Sequence, residues 1–165
     1  MALPSNDAKS LPTQQPTAIG DDLYVVTDTR LSLEQLADQV RDDGAGAVVT
    51  FSGTTRNHFQ GRRVLRLDYE AYAPMAEAEM RKIGDEARSR WALIRIGVWH
   101  RTGTVPVGET SIVIAVSSAH RHDALQAASY MIDELKARVP IWKKEVLADG
   151  EAEWRANAEA KRSAA

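Results

Sequence analysis

The chain has no cysteine among its 165 residues. That excludes a disulfide framework, a thiolate zinc site and a catalytic or persulfide-carrying thiol. Covalent chemistry then falls to lysine, histidine, a hydroxyl, a carboxylate, or a nucleophile delivered by a partner. An excess of one charge is also missing: 21 Lys and Arg stand against 23 Asp and Glu, a formal net charge of -2. Such a balance carries no global nucleic-acid signature, although it can hide a local basic patch. Only two phenylalanines are present, and no RNP-like aromatic strand motif offers bases a stacking platform. His58, His100, His120 and His122 show no HExxH-type spacing, so neither a metal site nor a resident cofactor is expected. No apolar run approaches the length of a membrane span. The N-terminus lacks the basic and apolar regions of a signal peptide, and a cytoplasmic location is the expectation.

What is present fits one soluble domain with a sizeable core. Residues 1–20, rich in Pro, Gln, Ser and Thr, read as a mobile tail. Residues 21–150 read as a single α+β domain, and the Ala-rich, charged residues 151–165 as a C-terminal tail with helical potential. LYVVT from Leu23 suggests a strand, and Ser32 with Gln35 a capping box opening a helix that carries Leu33, Leu36, Ala37 and Val40. GAVVTFSG suggests a buried strand, TTRNHFQGRR a polar loop, and VLRLDYE a strand burying Val64, Leu65, Leu67 and Tyr69 on one face. Pro74 suits the first turn of a helix with Met80, Ile83, Ala87 and Trp91 inside. IRIGVWHR alternates as a strand, TGTVPVGE reads as a loop, and TSIVIAVSS is the clearest core strand. A last helix places Leu125, Ala128, Met131, Ile132 and Leu135 on one face and ends near Pro140. The order β-α-β-β-α-β-β-α-β, with short loops, points to a mixed or antiparallel sheet with three main helices.

The chemistry concentrates in SSAHRHDALQAASYMIDELKARVPIWKKE, Ser117 to Glu145. His120 and Arg121 open the helix, where free backbone N–H groups, the helix dipole and a guanidinium suit an anion such as phosphate. The alternative is a serine-capped turn with a structural histidine. Lys136 and Lys143 stand seven residues apart with Pro140 between them, so a chain reversal can bring both amines to one pocket. Two solvated lysines near a helix C-terminus explain the same spacing. Cationic neighbours or burial lower a lysine's pKa toward catalytic use, and Arg138 and Lys144 are candidate neighbours. Thr54, Thr55 and Arg56, followed by Asn57 and His58, add hydroxyl donors and an arginine fork that matches phosphate. A wet polar loop is the alternative there.

Together GAVVTFSGTTRNH, YEAYAPMAEAEM, HRTGTVPVGE, SSAHRHDAL and LKARVPIWKKE resemble, in order and spacing, the catalytic (large) subunit family of molybdopterin synthase. The resemblance spans most of the chain. It implies a hammerhead-type α+β fold and a central homodimer in a heterotetramer, with a small ubiquitin-like sulfur-carrier subunit at each end. It further implies that the carrier's C-terminal Gly-Gly thiocarboxylate gives sulfur to cyclic pyranopterin monophosphate, two transfers making the molybdopterin dithiolene of the molybdenum cofactor. Sulfur would then arrive on a partner, in keeping with the absent cysteine. Carried over by position, Lys136 and Lys143 are the expected catalytic pair. Thr54, Thr55, Arg56, His120, Arg121, Lys144 and Glu145 are the expected substrate-binding residues. Thr54-Thr55 departs from many relatives, which carry a lysine or another residue before the arginine. The rival reading is a noncatalytic α+β module that binds a phosphorylated ligand or RNA through a basic patch.

Overall fold

The computed structural model describes residues 22–157; the expected tail 1–20 and residues 158–165 lie outside them. Nine strands and three helices follow one another: β1 (Leu23–Thr27), α1 (Leu33–Gln39), β2 (Ala47–Thr54), β3 (His58–Phe59), β4 (Arg62–Ala71), α2 (Ala73–Arg90), β5 (Arg95–Arg101), β6 (Gly103–Pro106), β7 (Thr110–Ser118), α3 (Arg121–Arg138), β8 (Ile141–Leu147) and β9 (Ala152–Ala156). They form two sheets. The first runs β1-β5-β7-β2, with β1 parallel to β5 and the other pairs antiparallel. The second runs β3-β4-β8-β9, with β6 also paired to β4, and is antiparallel throughout. The expected α+β class with three helices and mixed pairing is what forms.

Strand β7 is apolar on both faces because both are covered. Ile112, Ile114 and Val116 enter the main core with α2 and α3, while Val113 and Ala115 pack with Leu36 of α1 and Val40 at its C-cap. Ser32 caps α1, its hydroxyl accepting from the Gln35 N–H at 3.2 Å. Two glycines allow close approach. A Cβ on Gly97 would lie 2.5 Å from Leu36 Cδ1, and one on Gly84 would lie 1.7 Å from the Tyr24 hydroxyl oxygen. Helix α2 therefore sits directly on the β1 tyrosine.

Several elements differ from the sequence expectation. The chain after Gly150 is a strand, not a helix: Asp149-Gly150, with Gly150 at φ +88, turns it back so that residues 152–156 pair with β8. The domain accordingly extends past residue 150. The expected loop TGTVPVGE contains β6, and the expected loop TTRNHFQGRR folds into a β3–β4 hairpin around Gln60 and Gly61, both at positive φ. Leu65 points outward, because a bulge between Val64 and Arg66 breaks the alternation that would have buried it. Leu125 is 53% exposed. It lies about 100° around α3 from the stripe formed by Ala124, Ala127, Ala128, Met131 and Leu135.

Candidate functional site

A cavity of about 110 Å³ opens between the two sheets beneath the C-terminal end of α3. Its lysines reach it from opposite sides of the α3–β8 junction. The residue before Pro140 is held extended (Val139 φ -71, ψ 128), which stops α3 and sends the chain directly into β8. Lys136 in the last helical turn and Lys143 on the new strand then line the same cavity. This is the chain reversal that the spacing around Pro140 allowed. Lys143 is 16% exposed, and its Nζ lies 3.7 Å from a carboxylate oxygen of Glu145. Strand alternation puts 143 and 145 on one face, and both line the cavity. Tyr69, the β4 partner of Lys143, lines it as well.

Thr54 and Arg56 also border the cavity. Thr55 does not. It is buried, its N–H donating to the Glu109 carbonyl at 3.0 Å and its own carbonyl accepting from Gly108 N–H at 2.9 Å. Its role is to stitch this loop to the β6–β7 turn, which leaves Arg56 projecting. Lys144, expected with the substrate residues, occupies the opposite face of β8. Its Nζ is 3.6 Å from Asp68 Oδ2 and 4.9 Å above the Trp154 ring. The expected cationic neighbours are therefore elsewhere, since Arg138 is taken up by Glu79 and Glu86 on α2. His120 and Arg121 are exposed at the other end of α3, about 22 Å from Lys136 at helical rise. Ser118 Oγ donates to the His120 carbonyl, and the His120 side chain makes no capping bond. The basic residues of this segment thus face at least three different surfaces and do not form one continuous patch.

The sequence reading overlooked the cavity floor. His100 is 2% exposed and lines the cavity; its Nδ1–H donates to the Arg101 carbonyl at 2.9 Å. Burial pushes its pKa down to about 4, against a smaller upward pull from that carbonyl, so the ring is neutral near pH 7. Tyr69 meets it edge-on at 5.1 Å. The signal was present: His100 shares strand parity with the buried Ile96 and Val98. A second, open basin of about 470 Å³ lies between the β3–β4 and β8–β9 hairpins, and Phe59 and Glu145 border both it and the cavity. Arg62 spans its rim to Asp149 and Glu151. Among the described residues no group of three or more His, Asp or Glu side chains is placed to hold a metal, and no helix is long and apolar enough to cross a membrane.

The family model described as MoaE protein matches residues 26–138. The chain belongs to the MoaE family. The matched span includes Lys136 and stops before Lys143. Among proteins similar to this MoaE chain, the molybdopterin synthase catalytic subunit of Bos taurus is 50% identical over 138 residues, 84% of this chain and 73% of that protein. The subunit of the same name from Oryza sativa subsp. indica is 49% identical over 152 residues, covering 90% and 78%. The crystal structure of molybdopterin synthase from Staphylococcus aureus superposes with a TM-score of 0.76 at 38% identity, over 80% of this chain and 96% of that one. In this MoaE chain Lys136, Lys143, Arg56 and Glu145 line one partly buried cavity.

Proposed function

We propose that this chain is the catalytic subunit of a molybdopterin synthase. It transfers sulfur from the C-terminal thiocarboxylate of a small carrier protein to cyclic pyranopterin monophosphate. The observation that carries this reading is the meeting of Lys136 and Lys143 in one cavity across the Pro140 break, in a chain of the MoaE family. A partly buried ammonium beside the reacting carbon neutralises charge as the sulfur attacks, and a lysine amine can give or take the protons that the addition and departure steps require. Glu145, within 3.7 Å of Lys143, holds that ammonium in place and offers it a proton acceptor. Because the sulfur arrives on the carrier, no thiol of this chain takes part, in keeping with the absence of cysteine.

The basin between the two hairpins is the route for the carrier's tail. Phe59 and Glu145 border both the basin and the cavity, so an extended chain end laid along the basin would arrive beside the lysines. Arg56 grips the substrate phosphate from the cavity edge. His120 and Arg121 are too distant to serve the same cavity within one chain, so they serve the cavity of a second copy in a homodimer, itself the centre of a heterotetramer. Purified chain, thiocarboxylated carrier and pterin precursor together should yield molybdopterin; no product with competent carrier would sink the reading. Mixing inactive Lys136→Ala with inactive Arg121→Ala chains should restore about a quarter of wild-type activity, because half the dimers then hold one intact site. No restoration would place His120 and Arg121 outside the shared site.

A further inference from the structure

The charged side chains around the cavity are rich in donors. Arg56, Lys136 and Lys143 supply N–H groups, and the nearby Glu145 carboxylate is engaged by Lys143. On the floor, the Ser111 hydroxyl donates to the Gly53 carbonyl at 3.3 Å. A pterin's amino group and reduced-ring N–H groups are donors too, and cannot be satisfied by the cations. Each that is buried needs an acceptor in exchange for water, and Glu145, Asn157 and the Thr54 hydroxyl offer acceptors only on the part of the lining they occupy. His100 answers this need. Its Nδ1 is committed to the Arg101 carbonyl, which fixes the proton there and leaves Nε2 with a lone pair. With Nδ1 turned to the backbone, the Nε2 edge is the part of the ring left for the cavity. Tyr69, packed against it edge-on at 5.1 Å, limits its rotation.

We propose that His100 orients the heterocycle in the cavity, its Nε2 accepting a hydrogen bond from a ring or amino N–H of the pterin. This rests on the functional reading above and adds a substrate contact that neither lysine can make. Burial supports it: an imidazole held 2% exposed stays uncharged near neutral pH and acts as an acceptor rather than a cation.

The test is precursor binding, measured by calorimetry on the full chain without carrier. His100→Met, which has no comparable acceptor, should weaken precursor binding about tenfold. His100→Gln, which keeps an uncharged acceptor, should stay within about threefold of wild type. Carrier binding should be unchanged in both. Wild-type affinity in a folded His100→Met, or equal loss in both variants, would overturn the proposal. The wild-type protein gives a second readout that needs no substitution. The unprotonated Nε2 15N signal of His100 should move upfield when precursor is added, whatever His120 does at the phosphate, and a stationary His100 signal with saturating precursor would overturn it as well. Wild-type chain that binds no precursor at all would instead remove the functional reading, and the orienting role with it.

Discussion

Acid should unfold this protein partly through His100. Its ring titrates at about 4 in the folded chain against 6.5 for an unperturbed histidine. A depressed histidine pKa means that, between those values, the unfolded chain binds the proton and the folded chain does not. The associated stability is therefore complete above about pH 6.5, falls as pH drops, and is fully lost near pH 4. At about 1.36 kcal/mol per unit, the whole effect is about 3 kcal/mol, of which about 2 kcal/mol is gone by pH 5. Urea unfolding of wild type and His100→Gln at pH 7 and pH 5 isolates it, because the carboxylates titrate alike in both proteins. Wild type should lose about 2 kcal/mol more than the variant over that interval. Parallel losses would mean that the imidazole is protonated in the folded chain and that its environment is not the dry floor described above.

Lys143→Ala should abolish turnover, whereas Lys144→Ala, on the opposite face of β8, should keep most of it; steady-state assays with saturating carrier distinguish the two. Gly84→Ala gains about 1 kcal/mol of helix propensity but must displace the Tyr24 hydroxyl, so thermal denaturation should show a net loss of about 1–2 kcal/mol. Arg88→Ala removes a guanidinium that bonds Asp22 and the carbonyls of Leu93 and Ile94 at 3.0 Å. It should cost about 2 kcal/mol in chemical denaturation, because Asp22 is left mostly buried without its cation.

Periodicity made the helices and central strands legible, since their faces are set by burial: the spacing of Met80, Ile83 and Ala87 and the continuous run of β7 led directly to the inner surfaces. The edges of the second sheet were not. Strands β3, β6 and β9 are short, and β9 is exposed throughout, so pairing with β4 and β8, not an apolar pattern, defines them. The site divided in the same way. Pro140 between two lysines signalled a reversal that the fold makes, but local spacing could not tell Lys143 from Lys144, because that depends on which face of β8 meets α3. Thr55 was indistinguishable from Thr54 for the same reason. The placement of His120 and Arg121 at the far end of an 18-residue helix is plain from helical rise alone, and it is why a second copy enters the proposal.

The most direct test of the central claim is molybdopterin formation from cyclic pyranopterin monophosphate and thiocarboxylated carrier, with wild-type and Lys136→Ala chains compared side by side. Wild type should form the dithiolene product, while Lys136→Ala, with an unchanged circular dichroism spectrum and melting temperature, should form none. Wild-type turnover by Lys136→Ala would contradict the account.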